Sequence, residues 1–160
     1  VRYGPGWPGA EGTGEKRDLK LAIAHRMDLL AGAPLFAGLN KRQLGEIARA
    51  TTTVTGEAGS QIMREGSPAR FCCVIVSGEV DVLKGVRPIA RIGPGEMVGE
   101  IALLDPGPRS ATVVAVTDVL AIRLARAAFV EVVTKDPKIL LRMVESMARR
   151  LRAVSEATLT

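Results

Sequence analysis

Residues 71–95 read FCCVIVSGEVDVLKGVRPIARIGPG, and this stretch decides the fold class. Apolar or alternating runs at 71–76, 80–83 and 89–92 are separated by Ser77-Gly78, Lys84-Gly85 and Gly93-Pro94-Gly95. Short runs of that kind, broken at close intervals by turn formers, are the pattern of antiparallel strands joined by tight turns. The pattern extends outward. Residues 51–55 are β-branched, 113–116 and 119–124 are apolar or alternating, and Gly56, Gly59 and Gly66-Ser67-Pro68 supply further turns. The expectation is a mainly β protein with flanking helices: an antiparallel β-roll (a double-stranded β-helix or jelly roll) over residues 51–126.

Helices are expected on either side. Leu19, Ile23, Met27 and Leu30 recur at helical spacing until Gly32-Ala33-Pro34 breaks the pattern. Leu35-Phe36 and Leu39 then lead to a second short helix with Asn40 as N-cap and Leu44, Ile47 and Ala48 on one face. Together these make a helical cap over residues 19–50. Residues 127–133 return to helix, Asp136-Pro137 supplies a stop and a new start, and 138 to about 158 reads as one long helix, so that 127–160 forms a C-terminal helical part. Its stripe Leu140, Val144, Met147, Leu151, Val154 is heptad-like. Two placements fit: packed on the chain's own β-roll, or inward over the first turns with the rest pairing with a second subunit as a homodimer. Residues 1–18, rich in Gly and Pro, read as a flexible arm, although they hold Tyr3 and Trp7, which could dock on the body or a partner.

Composition removes several function classes. The 160 residues suit one domain, and no apolar run approaches the ~20 residues of a membrane span. The single histidine, His25, lies in an apparently helical stretch and suits a surface or packed position; metal sites usually draw on several imidazoles. No metal is expected. A cupin-type β-roll enzyme, which needs such ligands, is therefore disfavoured, and no catalytic residue is assigned. Adjacent Cys72 and Cys73 would point to opposite faces of a strand and suit packing in a reducing compartment. With no readable secretory signal, the expected location is cytoplasmic. The net charge of +5 and pI of 9.7 invite a nucleic-acid reading, but the basic residues are dispersed and aromatics are only 3%, too few for a base-stacking platform.

The chemistry concentrates in residues 93–114, GPGEMVGEIALLDPGPRSATVV. Ile101 to Leu104 can form one helical turn, and the Gly99-Glu100 pair at its start exposes unpaired backbone N–H groups, an anion site. Asp105-Pro106-Gly107-Pro108 turns the chain and returns Arg109 towards that helix start, where a guanidinium can pair with a phosphate. A carboxylate beside a phosphate is repulsive, so Glu100 needs another role, and a sugar hydroxyl provides one. The implied ligand carries one negative charge and ribose hydroxyls. The bland alternative is an Arg109–Glu100 ion pair that only pins the turn.

These residues resemble the cyclic-nucleotide-binding domain family over roughly residues 34–155. Val98-Gly99-Glu100-Ile101-Ala102-Leu103-Leu104 and Pro108-Arg109-Ser110-Ala111-Thr112-Val113 match its phosphate-binding cassette, with Val98 in place of the usual Phe. The early hairpins also match, although Ala69-Arg70 replaces a common Gly-Asp. The resemblance implies a non-enzymatic sensor of cAMP, with cGMP as an alternative ligand. Arg109 would pair with the cyclic phosphate and Glu100 would accept from the ribose 2′-OH. Gly99 and Ala102 would give close backbone contact, Ser110 would add a hydroxyl near phosphate and base, and Ile101 and Ala111 would complete the cassette. The last helix is similar to the dimer helix of bacterial catabolite activators, which implies that Arg150 faces the nucleotide and Ser155 contacts the base, with Val154 where those proteins have a hydroxyl. There a helix-turn-helix domain follows; these 160 residues have no room for a DNA-binding domain, so a stand-alone sensor or a fragment is expected, with the effector unassigned. The alternative is a degenerate domain that serves as a dimerisation or protein-interaction module.

Overall fold

The computed structural model describes residues 21–159, so the arm with Tyr3 and Trp7 and the first apolar position, Leu19, lie outside the described residues. The chain runs α1 (Ile23–Ala31), a short 3-10 turn (Pro34–Phe36), α2 (Lys41–Ala50), β1 (Thr52–Gly56), β2 (Gln61–Met63), β3 (Phe71–Ser77), β4 (Val80–Lys84), β5 (Arg87–Ile92), β6 (Met97–Val98), α3 (Ile101–Leu104), β7 (Thr112–Ala115), β8 (Val119–Ala125), α4 (Arg126–Lys135) and α5 (Pro137–Leu159). The strands form two antiparallel four-stranded sheets, ordered β1-β8-β3-β6 and β2-β7-β4-β5. This is the expected roll with flanking helices.

Strand periodicity explains how one sheet serves two cores. In β3, Cys73 and Ile75 point between the sheets with Val54, Val80 and Val113, while Cys72 and Val74 point outward against the helices. Strand β8 repeats the division, with Val119 and Ala121 inward and Ile122 and Leu124 outward beside Phe36, Ile47 and Phe129. Both strands are buried on both faces and therefore read as largely apolar runs, interrupted in β8 only by Arg123. Cys72 and Cys73 are free and buried, one in each core, as their adjacency implied.

Asn40 caps α2 in a reciprocal box: its Oδ1 accepts from the Gln43 amide at 2.9 Å, and Gln43 Oε1 accepts from the Asn40 amide at 3.0 Å. His25 is exposed on α1. Strands β2 and β6 have no counterpart in the sequence reading. At three and two residues they are too short to show a period of two, and pairing with β7 and β3 alone defines them.

The long C-terminal helix requires a correction. The face of α5 that packs on the chain is Ile139, Met143 and Ser146, all buried; in the stripe Leu140, Val144, Met147, Leu151, Val154 only Met147 packs on the core. Leu151 is 69% exposed, so the placement of this stripe on the chain's own β-roll does not hold. Two apolar stripes one residue apart run along the first turns, and periodicity does not say which faces inward.

Replacing Phe36, fully buried where helices meet the sheet, by Ala should lower the unfolding free energy by about 3–5 kcal/mol in a denaturant titration. Val86→Ala, at a position 96% exposed, should stay within about 0.5 kcal/mol of the parent.

Candidate functional site

The cassette begins where β6 ends. Gly99 adopts φ +76°, which favours glycine, and a Cβ there would lie 2.6 Å from Arg109 Nη1 and 2.7 Å from Met63 Cε, so that the ends of both side chains would have to shift. The chain then enters α3, whose Ala102 and Leu103 are buried while Glu100 and Ile101 face solvent. Asp105 ends the turn, its amide donating to the Ile101 carbonyl at 2.7 Å and its Oδ1 accepting from the Gly107 amide at 3.0 Å.

The return segment is clasped by the loop before β3. The Arg109 amide donates to the Ser67 carbonyl and the Gly66 amide donates to the Arg109 carbonyl, both at 2.8 Å, while the Ala69 amide reaches the Gly107 carbonyl at 3.2 Å. This clasp delivers the Arg109 side chain to the start of β3. Its Nη2 donates to the Phe71 carbonyl at 2.6 Å, its Nη1 makes a long contact of 3.5 Å with the Gly99 carbonyl, and its Cζ lies 4.8 Å from the Phe71 ring centroid.

Arg109 is only 8% exposed, and among the described residues it has no carboxylate partner. The Arg109–Glu100 ion pair of the bland reading does not form. Burial pushes the guanidinium below its ordinary value, and the nearby Arg123 charge acts in the same direction. A buried cation held only by carbonyls and a ring face has its own charge uncompensated, which suits it to receive an anion.

Ser110 is exposed and Ala111 half-buried at the start of β7. The Ser110 carbonyl accepts from Lys84 Nζ at 2.8 Å, and Lys84 also lies 3.8 Å from Glu65. Sequence reading missed Lys84, which looked like an ordinary hairpin residue, and the Phe71 carbonyl, a backbone group with no signature in residue type. Gly99, Ala102 and Arg109 are thus gathered at one place. Arg150 and Ser155 sit apart from it, on the stretch 148–158 of α5 where every residue is exposed, and α5 itself packs on α4 and the 3-10 turn. Among the described residues, no group of three or more His, Cys, Asp or Glu could hold a metal ion, and no helix is long and apolar enough to cross a membrane.

A family model described as the cyclic nucleotide-binding domain matches residues 53–136. The chain belongs to that family. The CRP-like cAMP-activated global transcriptional regulator of Mycobacterium tuberculosis is 29% identical over 130 residues, which cover 78% of this chain and 58% of that protein. The N-terminal domain of a transcriptional regulator from Streptomyces coelicolor A3(2) superposes with a TM-score of 0.74 at 32% identity, over 83% of this chain and 96% of that one. The regulatory domain of Toxoplasma gondii PKA, solved with cAMP, gives a TM-score of 0.64 at 29% identity, over 69% of this chain and 44% of that one. In this cyclic nucleotide-binding domain the cassette helix, the loop before β3 and β3 itself converge on one buried arginine.

Gly99→Ala should destabilise the domain by more than about 1 kcal/mol, and by more than Gly59→Ala, whose positive φ is similar but whose Cβ would meet open space; unfolding midpoints of the two variants test this. The two thiols provide a second check. Burial, and then the Glu100 charge, push Cys72 up to about 12 from 9.0, and burial raises Cys73 well above 9.0. With folded values above unfolded ones, the thiols' contribution to stability is complete below pH 9.0 and is lost at higher pH, for Cys72 as pH rises towards about 12. Thiol-reagent labelling at neutral pH should therefore follow global unfolding, and the unfolding midpoint should fall above pH 9.0.

Proposed function

We propose that this domain is a non-enzymatic sensor of cAMP, with cGMP as the competing ligand to be tested beside it. The observation that carries the reading is Arg109, buried beside a glycine-led helix turn and without an acidic partner among the described residues. A cyclic phosphate bears one negative charge, which matches one guanidinium. Exposed Glu100, at the start of α3, is free of an ion pair among the described residues and suits the ribose 2′-OH as an acceptor. Gly99, Ile101 and Ala102 would supply close backbone, Ala111 would line the cassette's return, and Ser110 would add its hydroxyl near phosphate and base. The names of the relatives support cAMP: one is called cAMP-activated and another was solved with cAMP. The two thiols are held protonated by burial and offer no nucleophile at neutral pH.

Residues 147–158 of α5 are the proposed reporter. Binding would draw them over the nucleotide as a lid, bring Arg150 towards the phosphate and Ser155 towards the base, and bias pairing of two copies through Leu151 and Val154. The related regulators differ in what they control, a transcription programme in one and a kinase in another by their names, so the effector here is a separate question. A second reading draws on the exposed stripe itself: a ligand-free domain that serves as an interaction module through Leu140, Val144, Leu151 and Val154.

Calorimetric titration with cAMP and cGMP decides between the readings. Cyclic nucleotide should stabilise the fold by ~2.7 kcal/mol at a concentration 100 times Kd. Arg109→Ala should weaken binding by about tenfold to more than a hundredfold, corresponding to a charge-assisted bond of roughly 1.5–3 kcal/mol, and Glu100→Ala by less. No thermal shift with either cyclic nucleotide at millimolar concentration would leave the interaction-module reading. Amide hydrogen exchange tests the lid: ligand should slow exchange in 147–158 as well as in 99–112, and protection confined to 99–112 would show that α5 does not report.

A further inference from the structure

A second cluster of cations lies beside the clasp, in a depression of about 390 Å³ where β8 runs into α4. Arg70, Arg123 and Arg126 line it together with Pro68, Pro106 and Ala127, and none of its lining residues is acidic. Local structure explains the gathering. The Arg126 amide donates to the Arg70 carbonyl at 2.8 Å, which ties the start of α4 to the residue before β3, and Arg123 lies across the sheet from Cys73 in register. The Arg123 guanidinium rests 4.5 Å from the centroid of the Phe71 ring, the same ring that Arg109 approaches.

Like charges so placed repel unless an anion joins them. Among the described residues none of the three forms an ion pair, and the Nε of Arg126 is buried without a hydrogen-bond partner. Arg126 lines the acid-free depression while its buried Nε has no partner, so this guanidinium has hydrogen-bonding capacity that the protein does not use. We propose that this depression is a second anion site, separate from Arg109, that binds a phosphate group. A guanidinium fork pairs with carboxylate or phosphate alike, but three of them together offer more donors than the two oxygens of a carboxylate use, and a phosphate has oxygens for all three. The short, stiff Pro and Ala walls leave a volume within the range of small-molecule pockets, room for a phosphomonoester or pyrophosphate as well as the bare ion. The proposal does not rest on the nucleotide reading, because no cassette residue other than Pro106 lines the depression.

Inorganic phosphate, pyrophosphate and glycerol 3-phosphate, titrated separately into the whole chain by calorimetry and by amide NMR, test it. Saturable binding at millimolar concentration or below is expected for at least one of them, and their order of affinity separates a free ion from an esterified phosphate. The amides of 69, 70 and 125–127 should shift on titration. Arg70 is exposed, so Arg70→Ala should keep the parent's melting temperature without anion and lose at least about tenfold in affinity. Absence of binding in all three arms, an unchanged affinity in Arg70→Ala, or shifts confined to 99–110 would overturn the proposal. Failure of cAMP to bind in the titrations above would leave this result standing, so the two readings fail separately.

Discussion

Because strand Phe71–Ser77 must bury both of its faces, it can sit only where the inter-sheet core and the helical layer meet. Its neighbour Val119–Ala125 shares the constraint and brings Ile122 and Leu124 to the helices and Ala121 to the roll. Once that pair is placed, the helices have one apolar surface to cover and the second sheet has the other. The beginning of the strand is then a fixed point. Its Phe71 carbonyl and ring hold Arg109 on one side and Arg123 beside it, so a strand buried on both faces is also the support of the candidate site.

Arg109 shows what such a support is for. An unpaired buried charge is destabilising by several kcal/mol, and the hydrogen bond to Phe71 with a cation–π contact of roughly 0.5–2 kcal/mol offsets only part of that. The arginine stays because the clasp through Gly66, Ser67 and Gly107 leaves its backbone no alternative path. Under the proposed function, an anionic ligand would supply the compensation that the fold leaves out. Glycine at 99 serves the same end, since any side chain there would push the guanidinium out of place.

The C-terminal helix follows a different logic. Its first turns are held by Ile139, Met143 and Ser146, whereas residues 148–158 have no buried side chain among them. A helix that packs over only part of its length draws little tertiary stabilisation over the rest, and a segment so placed can be moved by a modest difference in contact energy.

Much of this was legible in the residues themselves. The apolar runs broken by Gly and Pro determine a β-roll because strand and turn chemistry are local, and the box at Asn40 and the break at Asp136-Pro137 are local for the same reason. The motif around Gly99, Glu100 and Arg109 is likewise readable, since a left-handed glycine, a helix start and a returning arginine are encoded within a dozen residues. Tertiary structure alone decided the rest. Strands β2 and β6 exist only through their partners, the inward face of α5 was chosen by which of two stripes met the core, and Arg109 has no carboxylate partner among the described residues because Glu100 turns to solvent. The cluster of Arg70, Arg123 and Arg126 is the clearest case, because residues more than fifty positions apart meet only when β3 and β8 pair. Periodicity and propensity act over a few residues, whereas which charges end up sharing a cavity depends on contacts between segments far apart in the chain.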